Sequence, residues 1–345
     1  MILHQQHKFM NDINFSEVQV ADENCFLCGT EDAYLTQEHV FPKWLQHRYE
    51  LKDKRLNLLN DTKIQYKNLL IPCCAKCNRE DLSRLEKVIS SAVSGGYEQI
   101  SKLDPYLLYL WIGKLYFGVL RKEISLARDR SRPNDGTIIS KETLRSFSAL
   151  HLFLQGIRGK HEFTGHPPYS LLVCNLHDVG SPRNFFFQDS FNHMAVGLRL
   201  GEIGIIAALE DAGLTSKTYG RYIDEVAGKK LHPIQFDELY AKVLYQLSLV
   251  EGPIKYITTK HKSDLQAAHT LVLDGRFIHE WSQEEYSKVL RSMVSKWLHV
   301  DSDKTEWFAP PNLVPTWMTK KDGKLLLLPL EEWTQSTDVD YRDGS

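Results

Sequence analysis

The sequence lacks most of the features that mark the large special classes of protein. No apolar run approaches the roughly 20 residues needed to cross a bilayer; the longest patches are Ile203–Leu209 and Leu325–Leu328. With 20 Gly and 13 Pro in 345 residues, and no internal repeat, the chain is neither collagen-like nor of low complexity. The opening residues, Met1 to His7, hold no charged stretch followed by an apolar one, so export is not expected and the cytoplasm is the expected compartment. There is no phosphate-binding glycine loop, nucleophile elbow or dinucleotide fingerprint. The net charge is only −2, so a nucleic-acid site has to be a local basic surface. Six cysteines are too few to staple a chain of this length. Five of them fall in the first 80 residues, which points to metal binding in a reducing compartment.

The length predicts about two domains, and the apolar spacing predicts a mixed α+β fold. Residues 1–20 read as an irregular arm. A helix is expected over Asn78–Ser94, where Leu82, Leu85, Ile89 and Val93 share one face, and Gly95-Gly96 reads as its stop. Asp104-Pro105 is a cap pair for a very apolar helix from Tyr106 to about Leu126. A basic loop, Arg128 to Pro133, precedes a helix expected over Lys141–Gln155. Strands are expected at Leu171–Leu176, Phe185–Gln188, and Ala195–Leu200 with Ile203–Leu209, the last two joined as a hairpin by Gly201-Glu202. A helix over Phe236–Val250 follows, and Ser282 to Glu285 form a capping box opening another that runs to about Leu298. Lys321 to Lys324 read as a turn before a strand Leu325–Leu330, and residues 336–345 read as a loose tail.

Two Cys-x-x-Cys pairs, Cys25–Cys28 and Cys74–Cys77, stand 45 residues apart. Two such knuckles provide the closed four-thiolate tetrahedron that zinc favours, with bonds of about 2.3 Å. Buried free thiols or a redox pair are the alternatives. Cys73 adjoins the second knuckle and is an alternative ligand to Cys74, though only Cys74 keeps the two-residue spacer.

Between and after the knuckles run Gln37-Glu38-His39-Val40-Phe41-Pro42, then Asn68, the second Cys-x-x-Cys and Asn78. An acidic residue and a histidine, two apolar residues and a proline, then Asn, Cys-x-x-Cys and Asn, resemble the HNH endonuclease family over about residues 24–94. The resemblance implies a zinc-stabilised ββα-metal domain over 21–97, followed by a larger α+β domain of unrecognised fold over 98–335. It implies that His39 is the general base and that Glu38 and Asn78 bind a catalytic Mg²⁺ or Mn²⁺. Asn68 would orient the base, with Asn57 as the other candidate, and Cys25, Cys28, Cys74 and Cys77 would hold a purely structural Zn²⁺. The chemistry fits these residue types, since phosphodiester hydrolysis needs a base for the attacking water and a cation for the phosphate.

The partner so implied is DNA, more in keeping with a double strand, in an enzyme akin to bacterial anti-phage or restriction-type effectors. A regulatory protein or small-molecule trigger would then act through the C-terminal region. Charge agrees locally: from His39 to Lys87 eleven Lys and Arg stand against six acids. A second cluster, Arg121, Lys122, Arg128, Arg130 and Arg132, could extend that surface. The rival expectation is a non-catalytic zinc-knuckle module that binds nucleic acid or protein; an RNA-cleaving HNH enzyme is a further alternative. His279-Glu280 lacks the second histidine of a zinc protease and reads as structural.

Overall fold

The computed structural model describes residues 24–31, 34–163, 166–180, 183–252, 254–260, 266–272, 277–297, 314–320 and 323–330. The expected arm (1–20) and tail (336–345) lie outside the described residues. The fold is mixed α+β, and among the described residues no helix is long and apolar enough to cross a membrane. The chain divides into two compact units. One takes the described residues up to Tyr169 and a later pair of strands at 254–260 and 266–272. The other takes Ser170–Gly252 and the described residues from 277 onward.

In the first unit, β1 (Leu35–His39) leads through Pro42 into a short helix α1 (Lys43–Arg48). A small hairpin of β2 (Arg55–Asn57) and β3 (Lys63–Gln65) follows, and a 3₁₀ turn over Tyr66–Asn68 feeds β4 (Leu70–Cys74). Strands β1 and β4 pair antiparallel, with Leu35 opposite Cys74 and His39 opposite Leu70. A wide turn of π-helical type over Cys77–Leu82 then opens α2 (Ser83–Ser94), which buries Leu85, Ile89 and Val93 as the 3.6-residue spacing predicts.

The two units do not meet at the Gly95-Gly96 break. Those glycines do end α2, and Gly96 has φ 75°, but the chain continues the same core through α3 (Tyr97–Ile100) and α4 (Pro105–Glu123). Asp104 caps α4 by accepting the Tyr106 N–H at 2.9 Å, as its sequence signals. Helix α4 is buried nearly all round, which an apolar helix must be. Gly118 lets it approach the end of β1, because a Cβ there would stand 3.0 Å from Val40, the residue that follows the strand. The expected domain boundary at 97/98 is therefore corrected to Tyr169: a local helix stop is not a break in the core.

The helix expected over Lys141–Gln155 is three short pieces instead, α5 (Lys141–Arg145), α6 (Ser148–Phe153) and a 3₁₀ turn over Leu154–Arg158. Strand β5 (His161–Phe163) closes this stretch.

In the second unit, β6 (Ser170–Asn175), β7 (Phe185–Ser190), β8 (Ala195–Leu200) and β9 (Ile203–Ala208) form an antiparallel sheet ordered β6-β9-β8-β7. Gly201, at φ 63°, makes the β8–β9 turn that its position signals. Helix α7 (Leu214–Val226) was not legible in the sequence, whereas α8 (Pro233–Ser248) was, though it starts earlier through a capping box built on His232 and Gln235. Gly197 and Gly204 leave room for α8: a Cβ at either would come within 2.8 Å of Tyr240 or Phe236.

A short strand, β10 (Val250–Glu251), follows α8. The pair assigned to the first unit, β11 (Ile254–Lys260) and β12 (Gln266–Val272), is antiparallel, and β12 runs parallel to β5. Strand β13 (Phe277–Ile278) pairs with β10, and α9 (Gln283–Val294) is capped by Ser282 as expected. The expected strand Leu325–Leu330 makes only an isolated bridge between Leu325 and Thr319. Four consecutive leucines look like a strand, but here Leu328 joins the core while Leu327 is exposed, with no ladder on either side among the described residues.

Candidate metal centre and adjoining polar site

The four sulfurs of Cys25, Cys28, Cys74 and Cys77 lie within 4.8 Å of one another. A tetrahedral site with 2.3 Å bonds sets its sulfurs about 3.8 Å apart, and Cys28 Sγ stands 3.8 Å from Cys74 Sγ. The donor set and its spacing fit zinc, so these four cysteines can hold one ion. Cys73 Sγ lies 3.9 Å from Cys25 Sγ but outside the group of four, so Cys74 is the member from this strand.

Local structure explains the clustering. Gly29, at φ 74°, closes the first knuckle, with its N–H donated to Cys25 O. The Cys77 N–H donates to Cys74 Sγ at 3.4 Å across the second. Two side chains from beyond residue 98 hold the first knuckle in place. His151 Nε2 sits 3.0 Å from Phe26 O, and Gln155 Nε2 donates to Leu27 O at 2.7 Å. Burial pushes the His151 imidazole down to about 4, so it is neutral and donates from Nε2 to that carbonyl.

Four thiols this close cannot all ionise unaided. Donation from Cys28, Cys73 and Cys77 lowers the Cys25 thiol, and the price falls on its neighbours: Cys25 pushes Cys28 up to about 11 and, with Cys28, raises Cys77. A divalent cation removes that conflict by supplying the missing positive charge.

Beyond the sulfurs, β1 carries Glu38 and His39 on opposite faces, as successive strand residues must. Glu38 points inward and Oε1 accepts from Lys114 Nζ at 2.7 Å. Lys114, on α4, is fully buried and also donates to Glu86 Oε1 at 3.0 Å, His39 O at 2.8 Å and Val40 O at 3.0 Å. Burial alone would lower its ammonium, but Glu86 and Glu38 outweigh that and hold it above its ordinary value. Burial, with Glu38 adding, raises the Glu86 carboxyl against the pull of Lys114. Sequence reasoning missed this lysine, although the signal is there: Lys114 is the one charge between Pro105 and Leu120.

His39 faces the other way and is half-buried. Burial, then Lys43, lowers its imidazole below the ordinary value, with Glu38 opposing, so it is neutral near pH 7. The Gln46 amide fixes its tautomer. Gln46 Nε2 donates to Phe41 O at 2.7 Å, which sets the amide's orientation, and the same nitrogen stands 3.4 Å from His39 Nδ1. Nδ1 therefore carries the lone pair, and its bond to Gln46 is long enough to be given up to water.

No family model matches the chain, and no curated protein or solved structure matches it either. The site has to be read from its own chemistry. Asn78, at the start of the π-type turn, donates from Nδ2 to Thr36 Oγ1 at 2.8 Å and to Gln37 O at 3.4 Å. Its amide nitrogen is thereby tied to β1, and among the described residues Oδ1 has no partner. Asn68 is exposed at the end of its 3₁₀ turn, with Gln65 Oε1 3.5 Å from its amide. The neighbouring Leu69 carbonyl accepts the Val40 N–H at 2.9 Å. Asn57 is exposed at the end of β2.

Of the basic residues, Lys43, Arg48, Lys76 and Arg79 are exposed. The second basic cluster does not form one surface: Arg121 is buried, and Arg132 pairs with Asp129 and Asp135. His279 pairs with Glu251 at 3.0 Å.

Replacing Lys114 by Met is expected to destabilise the fold by about 3–5 kcal/mol, because it leaves two buried carboxyls without their shared cation. Urea denaturation measures this. A loss below about 1 kcal/mol would show that the cluster carries little stability.

Proposed function

We propose that the chain is a metal-dependent HNH-type endonuclease that hydrolyses phosphodiester bonds in DNA. The observation that supports this best is the pairing of β1 with β4. It sets the Glu38-His39 strand beside the strand entering the second knuckle, and Asn78 reaches back from the helix start to Thr36. Two strands and a helix thus carry the three chemistry-bearing positions in one small framework.

In this reading His39 Nδ1 takes the proton of the attacking water. The water oxygen bonds to phosphorus as the bond to the 3′ oxygen breaks, leaving a 5′-phosphate and a 3′-hydroxyl that regains its proton from solvent. Asn78 Oδ1 fits a hard-cation ligand, since its amide nitrogen is already fixed; Glu38 would contribute the oxygen that Lys114 does not take. When bound there, Mg²⁺ or Mn²⁺ supplies charge neutralisation at the phosphate. Lys114 holds the His39 and Val40 carbonyls and so sets the backbone from which the base projects. Asn68 adjoins the peptide bonded to Val40 and would steady the same loop. The four-cysteine site, once filled with zinc, has no open position and serves structure alone. Exposed Lys43, Arg48, Lys76 and Arg79 would meet the phosphate backbone of a DNA duplex.

The test is incubation of the purified protein with supercoiled plasmid and with RNA, in Mg²⁺, Mn²⁺ or chelator. Plasmid nicking or cutting is expected with either metal and none with chelator. The rate should hold near pH 7 and fall only below about pH 6.5, as imidazole becomes charged, because the lowered His39 value places its acid limb below the ordinary one. The engagement of Glu38 by Lys114 favours one rival, a non-catalytic knuckle module. Nucleic-acid binding without cleavage in any metal would establish that rival in place of the nuclease, and cleavage of RNA alone would make the substrate RNA.

A further inference from the structure

The second unit contains a cationic cluster that the nuclease reading does not use. Arg199, on β8, is 3% exposed, and its guanidinium lies 5.1 Å from the ring centroids of both Phe186 and Trp297. Phe186 is its direct neighbour across the β7–β8 ladder. Arg199 makes no ion pair among the described residues, and its Nε–H is buried without an acceptor.

A second donor is orphaned beside it. His232 caps α8 by accepting the Ile234 N–H on Nδ1 at 3.1 Å. Burial, together with His177 and Arg199, pushes its imidazole down to about 4, so the ring is neutral and its one proton must sit on Nε2. That atom is also buried without a partner among the described residues, and the ring packs 5.6 Å from Trp297.

Lys296 completes the group, 3.7 Å from the Phe186 ring centroid and 3.0 Å from Asp237 Oδ2. Asp237 also takes the Trp297 Nε1–H, and its other oxygen is buried without a partner among the described residues. Burial pushes Lys296 down to about 8, with Arg199 adding to the shift against Asp237.

Lys296 thus takes the Asp237 carboxylate, while Arg199 is left without an anion among the described residues, near the positive N-terminal end of the 16-residue α8 that His232 caps. A water could bridge the orphaned donors to Asp237, but it brings no charge, and an unpaired buried guanidinium is costly. We infer that Arg199, His232 and Lys296 form a binding site for a small anion carrying a phosphoryl group, free or as part of a nucleotide. The guanidinium and imidazole N–H groups supply two hydrogen bonds and Lys296 a further charge, a donor set that matches an oxyanion with several acceptor oxygens. The aromatic rings are already covered by the cations, so the phosphoryl group is what the site recognises.

The test is titration calorimetry on the full-length protein with orthophosphate, pyrophosphate and AMP in turn, each up to about 10 mM, with thermal melts alongside. At least one probe should bind saturably and raise the melting temperature. The arm that binds tightest distinguishes a free phosphate from a nucleotide. Arg199→Met should weaken binding by about tenfold or more, while the unliganded variant melts no lower than the wild type, since it loses an unpaired charge. If that variant fails to fold, Lys296→Gln, which keeps a polar side chain at a position only a quarter exposed, should still fold and bind about tenfold more weakly. No saturable binding by the wild type to any of the three overturns the proposal. So does equal affinity in the wild type and in whichever variants fold. This result does not depend on whether the first unit cuts DNA.

Discussion

Replacing His39 by alanine is expected to slow plasmid cleavage by roughly 10²–10⁴-fold, the usual worth of a positioned general base. Zinc content, melting temperature and DNA affinity should barely change. The imidazole is half-buried, and its side-chain contact within the fold is the long one to Gln46. Its backbone carbonyl, bonded to Lys114, remains whatever the side chain. The variant therefore isolates the proton transfer from the architecture around it. Gln46→Ala offers a graded companion: the base keeps its ring but loses the donor that sets its tautomer, so a smaller loss, on the order of tenfold, is expected. Wild-type cleavage by His39→Ala would remove the mechanism proposed for the first unit.

The other large effect is expected on stability. Cys74→Ser, or stripping the metal with a strong chelator, should unfold the first unit or leave it without fixed tertiary structure. A structural zinc can contribute about 10–16 kcal/mol of apparent free energy, as much as a whole domain usually has to spare. Loss of the site also releases the segment 24–31, whose ties to the rest include His151 and Gln155. Cys73→Ser serves as the contrast, since Cys73 lies outside the group of four and its loss should cost far less. Metal release, followed with a chromogenic chelator and circular dichroism, should give about one zinc per chain. A metal-free protein with its fold and melting temperature intact would show that the four cysteines are not a structural centre, and a Cys73→Ser effect equal to that of Cys74→Ser would reassign the ligand.

What the sequence determined by itself is local in physical origin. The Cys-x-x-Cys spacing confines two sulfurs to one turn, so each knuckle offers a preformed half of a four-sulfur site, and the sequence shows both halves. Asp104-Pro105 and Ser282 name helix starts because a cap is a contact between near neighbours, and Gly201 names a turn because few other residues tolerate its φ. The order of Glu38-His39, the second knuckle and Asn78 along the chain was likewise legible, but it is the pairing of β1 with β4 that brings them side by side.

Only the tertiary structure decided the rest. Gly95-Gly96 ends a helix, but whether a core ends there depends on where α4 packs, and it packs on β1 through Lys114 and Gly118. The lysine is visible in sequence as a lone charge in an apolar helix, yet its partners Glu38 and Glu86 are 76 and 28 residues away. Burying an ammonium is tolerable only where such partners converge, and no spacing rule reports that. The same holds for Arg199, one charge in an otherwise apolar strand. Its want of an anion became visible only when the sheet, the cap of α8 and the residues following α9 were brought together around Trp297.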